Sequence, residues 1–179
     1  IAEERPDTAT RDNTVRPGFI RFLALGGDAA APVHENGVQV RGAYIDGALD
    51  LENCHVPGPL VLANCRVGGP VTLRDSTTRL INLHGSHIPG LEGDRLTADG
   101  GLFLRNGFHA TSEVRLLGAH IGGELDCTDG TFDNASGRAL NADRVKTTGS
   151  VNLSDGFHAT GEVRLPSAGI GGNLDCTDG

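Results

Sequence analysis

The sequence repeats a short pattern of small, branched and apolar residues at nearly constant spacing. The segments GAYIDGALDL (42–51), NCHVPGPLVL (53–62) and NCRVGGPVTL (64–73) follow one another every 11 residues, and GAHIGGELDC (118–127) has the same arrangement. Each segment holds a small and a β-branched residue two positions apart, then a turn, then two apolar residues two positions apart. This fixed period predicts a repeat architecture.

The paired residues indicate how such a chain would fold. Two residues separated by one spacer place their side chains on the same face of an extended segment. Between the pairs, DG, PG or GG provides a tight bend. Four extended sides would make a coil of about 22 residues, and coils would stack at the inter-strand distance of about 4.8 Å. A coil of half that length leaves little interior for the apolar side chains, so a four-sided coil is preferred.

The frame continues to the end of the chain, which predicts about six coils. The segment GLEGD (90–94) fits this frame less clearly than the other segments do. The GFHAT segments (107–111 and 156–160) add one or two residues that should bulge outwards, with the Phe turned towards the core. The predicted inward pairs include Ala43/Ile45, Leu49/Leu51, Cys54/Val56, Leu60/Leu62, Cys65/Val67, Val71/Leu73, Leu102/Leu104, Val114/Leu116, Ala119/Ile121, Leu125/Cys127, Val151/Leu153 and Leu174/Cys176.

The second half of the chain contains a duplication. Residues 105–130 match residues 154–179 at 19 of 26 positions, with an offset of 49 residues. This offset suits a copied pair of slightly longer coils. The His and Cys residues of the two copies are therefore expected to recur because the coil recurs, and their recurrence is no separate indication of catalysis.

The N-terminal residues depart from the repeat. Residues 1–13 are polar and are predicted to be disordered or loosely held. Residues 14–31 are predicted to form a capping helix and a linker, with Thr14 as the N-cap and Gly26 ending the helix. Such a helix would cover the strand edges that a solenoid exposes at its end. The β-solenoid is assigned to residues 32–179, and we expect it to be truncated at its C-terminal end.

Composition narrows the classes of function. The chain has 27 Gly, no Met, no Trp and 4% aromatic residues, so its core must consist mainly of Val, Leu, Ile, Ala and Cys. The formal net charge of −8 argues against direct binding to nucleic acid or to anionic membranes. No apolar run approaches the roughly 20 residues of a membrane span. The expected location is cytoplasmic.

The pairs at five- and six-residue spacing resemble those of the pentapeptide-repeat proteins, over about residues 32–179. The resemblance implies an all-β fold, a right-handed quadrilateral β-helix with a short N-terminal capping helix. FIRFLALGGDAAAPVHENGVQVRGAYIDGALDLENC (19–54) and EVRLLGAHIGGELDC (113–127) are similar to segments of a group of bacterial solenoid proteins. That group often carries the label "membrane-associated oxidoreductase". No nucleotide-binding or redox motif accompanies the label in this sequence.

The four cysteines occupy positions that hold Ala or Leu in other units. Cys54, Cys65, Cys127 and Cys176 are therefore all predicted to be small core residues, with a redox or metal role as the alternative. Cys127 and Cys176 should lie two coils apart, at about 9–10 Å, and Cys54 and Cys65 on opposite sides of a coil. No disulfide is expected at such separations.

Most of the seven histidines fall at spacer or corner positions and are predicted to face outwards, among them His55, His87, His109, His120 and His158. His109 and His158 repeat two coils apart, beyond the reach of one metal ion. His84 and His87 form a His-x-x-His pair outside a helix and without a third ligand. A weak metal site at that pair is the alternative to ordinary surface histidines.

The aspartates suggest both turn chemistry and an alternative function. Asp50, Asp126 and Asp175 lie between inward pairs and are predicted to face solvent, and Asp129 and Asp178 lie in corners next to Gly. A continuous acidic column along one face would support DNA mimicry, by which some pentapeptide-repeat proteins occupy a topoisomerase. The arginines that interrupt such a column are Arg66, Arg74, Arg79, Arg95, Arg105 and Arg115.

Three functions are compatible with these patterns. The leading hypothesis is a non-enzymatic β-solenoid scaffold or protein-binding module, which binds a protein or itself through a solenoid face or the uncapped C-terminal end. The alternatives are an acidic DNA-mimicking protein that interacts with a topoisomerase, and part of a larger oxidoreductase with its active site outside residues 1–179. No catalytic, cofactor-binding or metal-binding residue is assigned, and no cofactor is expected.

Overall fold

The computed structural model describes residues 4–179, in which one short helix precedes a β-solenoid of about six stacked turns. Each turn has four sides, and equivalent strands of successive turns pair in parallel. Strands of two residues suffice because each interior strand hydrogen-bonds to its counterparts in the turns before and after it. The four-sided coil predicted from the apolar pairs is confirmed.

The sides are numbered in the order in which the chain visits them. Side 1 consists of β1 (Thr14–Val15), β5 (Tyr44–Ile45), β9 (Arg66–Val67), β13 (His87–Ile88), β17 (His109–Ala110) and the first parts of β21 (Thr131–Asn141) and β24 (His158–Arg164). Side 2 consists of β6 (Leu49–Asp50), β10 (Val71–Thr72), β14 (Leu91–Glu92), β18 (Val114–Arg115) and the last parts of β21 and β24. Side 3 consists of β7 (His55–Val56), β11 (Thr77–Thr78), β15 (Thr97–Ala98), β19 (His120–Ile121), β22 (Lys146–Thr147) and β25 (Gly169–Ile170). Side 4 consists of β4 (Val38–Arg41), β8 (Leu60–Ala63), β12 (Ile81–Asn82), β16 (Leu102–Phe103), β20 (Leu125–Asp126), β23 (Val151–Asn152) and β26 (Leu174–Asp175).

The corners that follow sides 2 and 4 share one backbone conformation. Each places a residue at positive φ, and the non-glycine residues there are Asn53, Asn64, Asp75, Arg95, Asn106, Asp129, Arg144, Asp155, Ser167 and Asp178. Asn and Asp tolerate this left-handed region better than most side chains do, which explains their frequency at these corners. The corner positions predicted for Asp129 and Asp178 are confirmed, with φ of 53° and 52°.

The segment GLEGD (90–94) keeps the repeat frame. Leu91 is fully buried and pairs in register with Val114 of the next turn. Gly93 replaces the second apolar residue of the pair, and a Cβ there would lie 2.9 Å from Leu116 Cδ2. The side chain of Leu116 therefore fills the space that Gly93 leaves open.

Three phenylalanines form a ladder inside the second half of the solenoid. The ring centroids of Phe108 and Phe132 lie 5.4 Å apart, and those of Phe132 and Phe157 lie 5.2 Å apart. Gly130 lies between Phe108 and Phe157 in the stack, and a Cβ on it would lie 2.9 Å from the Phe132 ring. The inward orientation predicted for the Phe of each GFHAT segment is confirmed, and the extra residue of the first one, Gly107, has positive φ.

The helix α1 (Pro17–Ala24) packs on the first turn through Ile20 and Ala24. Its N-cap is Arg16, so the predicted N-cap at Thr14 is wrong. Thr14 belongs to β1, which pairs with β5, and the helix begins where Pro at its first position supplies a suitable φ. Gly26, at φ 110°, follows the helix end as predicted.

A small antiparallel hairpin of β2 (Gly27–Asp28) and β3 (Ala31–Pro32) separates this helix from the solenoid, and the sequence patterns did not indicate it. The division of the chain into residues 1–13, 14–31 and 32–179 stays a prediction.

Candidate functional site

The cysteines do not all share one environment. Cys65 and Cys127 are fully buried, as predicted, and burial raises the pKa of both thiols, which makes them poor nucleophiles. Cys54 is only partly buried and lies at the end of the solenoid next to helix α1, and Cys176 is exposed. The core position predicted for Cys176 is wrong for residues 4–179, because Cys176 follows β26 at the edge of side 4 and is exposed there.

The relative positions predicted for the cysteines are confirmed. β23 lies between the strands that precede Cys127 and Cys176, so those two residues are two turns apart. Cys54 and Cys65 precede strands on sides 3 and 1, which face each other across the coil. All four thiols are free.

The Asp of LDCTDG has a structural role in both copies. Asp126 Oδ1 accepts a hydrogen bond from the Thr128 N–H, and Asp175 Oδ1 accepts one from the Thr177 N–H. In the solenoid, the same bond to the N–H two residues further along recurs at Asp50 with Glu52, Asn82 with His84, and Asn141 with Asp143. These side chains fix the start of the corner, a local interaction typical of Asp and Asn.

Asp126 does not face solvent, so that prediction is wrong. Its side chain is 5% exposed, and Oδ2 accepts a 2.6 Å hydrogen bond from Arg105 of the preceding turn. The Arg105 guanidinium also stacks on the Phe103 ring, 4.7 Å from its centroid. Arg105 therefore covers the carboxylate and supplies the opposite charge that a buried acid requires.

The outer face of side 2 carries a ladder of alternating charges, which we call the charge ladder: Glu52, Arg74, Glu92, Asp94, Arg115, Asp143, Glu162 and Arg164. Arg74 lies between Glu52 and Glu92. Its guanidinium nitrogens are 3.0 Å from a carboxylate oxygen of Glu52 and 3.5 Å from one of Glu92. Arg115 pairs with Asp94 at 2.6 Å, and Arg164 pairs with Asp143 and Glu162 at 3.1 Å each. Most of these pairs join residues of adjacent turns.

An open groove runs between sides 1 and 2 beside this ladder. Its volume is about 440 Å³, and Pro70 and Pro89 are the apolar residues with exposed surface that line it. Arg74 and Arg115 line its walls together with acidic residues. The short corners predicted from the sequence thus leave a shallow surface groove at this edge of the solenoid.

Side 1 brings together two histidines of adjacent turns. His87 and His109 are register partners of β13 and β17, and their ring centroids lie 4.7 Å apart at an interplanar angle of 90°. His109 Nε2 lies 2.8 Å from Asp133 Oδ2, and Thr160 Oγ1 donates to Asp133 Oδ1 at 2.8 Å. The hydrogen bonds from Thr160 and His109 lower the pKa of the Asp133 carboxyl.

The N-terminal segment lies across the same side. Arg5 donates to the Gly85 carbonyl, and Arg66 donates to the Pro6 carbonyl and pairs with Asp7 at 3.7 Å. Burial and, secondarily, the Arg5 guanidinium lower the pKa of His87 from 6.5 to about 4. Residues 5–7 thus have defined partners on the solenoid, which the sequence alone did not indicate.

His84 and His87 do not form a common site. His84 lies beyond β12 on side 4, where Nδ1 lies 3.1 Å from Asn82 Oδ1, whereas His87 belongs to β13 on side 1. The corner at Gly85 therefore separates the two rings. His55 and His120 are exposed on side 3, as predicted, and His87 is half-buried.

Within residues 4–179, no group of three or more His, Cys, Asp or Glu side chains is placed to hold one metal ion. Over the same residues, no helix combines the length and apolar character needed to cross a membrane. The chain matches no protein-family model, no curated protein and no solved structure. The solenoid itself is consistent with a pentapeptide-repeat-like fold.

Proposed function

We propose that this protein is a non-enzymatic β-solenoid scaffold that binds another protein through side 2. The observation that carries the proposal is the charge ladder, in which residues of adjacent turns hold one another in place. Fixed charges of alternating sign give an interface register and specificity, because a partner must present the complementary order.

The adjacent groove supplies apolar area that charges alone would lack. Pro70 and Pro89 provide the exposed apolar surface of the groove, which Arg74 and Arg115 also line. Interfaces typically combine an apolar centre with a polar rim, and this edge has both. We expect the partner to contribute an extended segment with apolar residues and charges of both signs.

The charge ladder argues against DNA mimicry on this side. A DNA-like surface needs negative charges in succession, whereas Arg74, Arg115 and Arg164 each neutralise acids of the ladder. Two of the arginines that interrupt the acidic residues in the sequence, Arg74 and Arg115, thus also interrupt them along side 2.

The experiment compares two double variants of matched charge. Arg74→Gln with Glu113→Gln alters the groove wall, and Arg79→Gln with Asp99→Asn alters exposed residues at side 3. Proteins captured by the immobilised chain would be quantified by mass spectrometry, after circular dichroism shows that both variants are folded. We expect at least one protein that the wild type and the side 3 variant retain and the groove variant loses. Equal capture by all three chains would contradict the proposal.

A further inference from the structure

His87 and His109 stand out because they are the two imidazoles that the stacking of turns brings into contact. They are 22 residues apart in sequence and directly paired across β13 and β17. The side chain of His109 is 27% exposed and that of His87 is half-buried, so both rings are held yet reachable from solvent. Two imidazole nitrogens that bind one metal ion each lie about 2.0–2.1 Å from it and therefore roughly 3 Å from each other. Rings whose centroids are 4.7 Å apart can bring two nitrogens to that distance by rotation of one side chain.

Asp133 fixes the orientation of His109. A carboxylate oxygen accepts from Nε2–H at 2.8 Å, which leaves Nδ1 as the nitrogen with a free electron pair. Thr160 holds the other carboxylate oxygen at 2.8 Å. A carboxylate that orients a histidine in this way is the usual outer partner of a metal-binding imidazole.

We propose that His87 and His109 together bind one transition-metal dication, with water completing the coordination and Asp133 as a positioning residue. Two imidazole nitrogens suit Cu²⁺, Ni²⁺ and Zn²⁺, and Cu²⁺ should bind most tightly. Because only two protein ligands take part, the site is weaker than structural zinc sites with four ligands. The site is independent of the protein-binding face on side 2.

Nearby cations limit the affinity of this site. Arg66 is the register partner of His87 on its other flank, and Arg5 also lies beside His87. Positive charges at this range oppose a dication. Arg66→Gln should therefore raise the affinity for Cu²⁺ severalfold, which a ring-packing role of the histidines alone would not explain.

The test titrates the full chain with Cu²⁺ alone and follows binding by calorimetry and electron paramagnetic resonance. We expect one ion per chain at the highest-affinity site, with two coordinated nitrogens, in the wild type and in His84→Gln. His87→Gln and His109→Gln should each lower the affinity at least about tenfold. Asp133→Asn should lower it by about tenfold with both nitrogens retained in the spectrum.

His84→Gln and His120→Gln are the matched controls, because His84 lies on side 4 and His120 on side 3, away from the pair and from Asp133. Circular dichroism verifies that every variant is folded, and His87→Asn and His109→Asn provide a second set of substitutions. Unchanged affinity in His87→Gln or His109→Gln would overturn the proposal. An equal loss in His84→Gln, or no binding by the wild type, would overturn it as well.

Discussion

The two copies of the duplicated segment have nearly the same sequence but different surroundings. Leu125 and Cys127 of the first copy are fully buried, whereas Leu174 of the second is 51% exposed and Cys176 is also exposed. The first copy has a turn stacked on each side of it, and the second contains β26 at the edge of side 4. The sequence pattern therefore determines which way a side chain points, and the stacking of turns determines how deeply it is buried.

The copies also differ in how they hold their aspartates. Asp126 pairs with Arg105, but the position equivalent to Arg105 in the second copy is Ser154. Asp175 instead accepts hydrogen bonds from the hydroxyl and N–H of Thr177, which lower the pKa of its carboxyl. The difference between Arg105 and Ser154 thus determines whether the aspartate forms a buried ion pair or only a local turn interaction.

The largest expected contrast is thiol reactivity. Cys176 should react with a thiol reagent in the folded chain more than about a hundredfold faster than Cys127, because Cys127 reacts only when the chain opens. Mass spectrometry of peptides labelled over time measures both rates. In Cys176→Ser the fast phase should disappear. Equal rates at the two positions would contradict the difference in burial.

Truncation of the equivalent leucines should separate the copies next. Leu125→Ala should lower the free energy of unfolding by about 2–5 kcal/mol, since it opens a cavity in the core. Leu174→Ala, in the exposed position, should cost less than about 1 kcal/mol. Urea denaturation followed by circular dichroism compares the two, and similar losses would show that the second copy is also covered.

Arg105→Ser gives the first copy the residue of the second and should destabilise the fold by about 2 kcal/mol. The physical reason is that Asp126 would lose the charged donor that pairs with its carboxylate. Asp126→Asn in the same chain should restore part of the loss, because it removes the unpaired charge. Chemical denaturation of the single and double variants measures this coupling, and additive losses would argue against the pair.

The smallest effect concerns the histidines. His109→Ala should raise the pKa of His87 from about 4, because it exposes the His87 ring and removes a neighbouring charge, whereas His158→Ala should leave it unchanged. NMR titration of the ring protons measures both.

The lowered pKa of His87 also makes the stability of the fold depend on pH. As the pH falls below about 6.5, His87 takes up a proton in the unfolded chain, whereas in the folded chain it does so only near pH 4. Stability should therefore decrease between about pH 6.5 and pH 4, and His87→Gln should reduce that slope.

The interior was predictable because its determinants are local. An apolar pair such as Leu49/Leu51 indicates its side from two residues, and Asn or Asp next to it indicates a corner. The partners on the outer faces depend on coil length, which varies. Tyr44 pairs with Arg66 after 22 residues, but Thr131 pairs with His158 after 27.

A difference of one residue in coil length changes every outward partner. The local His-x-x-His spacing offered His84 as an alternative partner for His87, whereas the stacked structure pairs His87 with His109. The same uncertainty concealed the partnership of Arg105 with Asp126 and left the latter predicted as exposed. A search for complementary residues about 22 positions apart would have found several pairs of the charge ladder.

Engineered disulfides on side 3 test the stacking order most directly. Thr77 and Thr97 are exposed register partners of adjacent turns, and His120 lies one turn further. Adjacent strands lie about 4.8 Å apart, which permits a disulfide, and the next strand lies at about twice that distance, which does not. Thr77→Cys with Thr97→Cys should oxidise to an internal disulfide, identified by mass spectrometry, whereas Thr77→Cys with His120→Cys should not. Efficient linkage of the second pair, or none of the first, would contradict a solenoid stacked in this register.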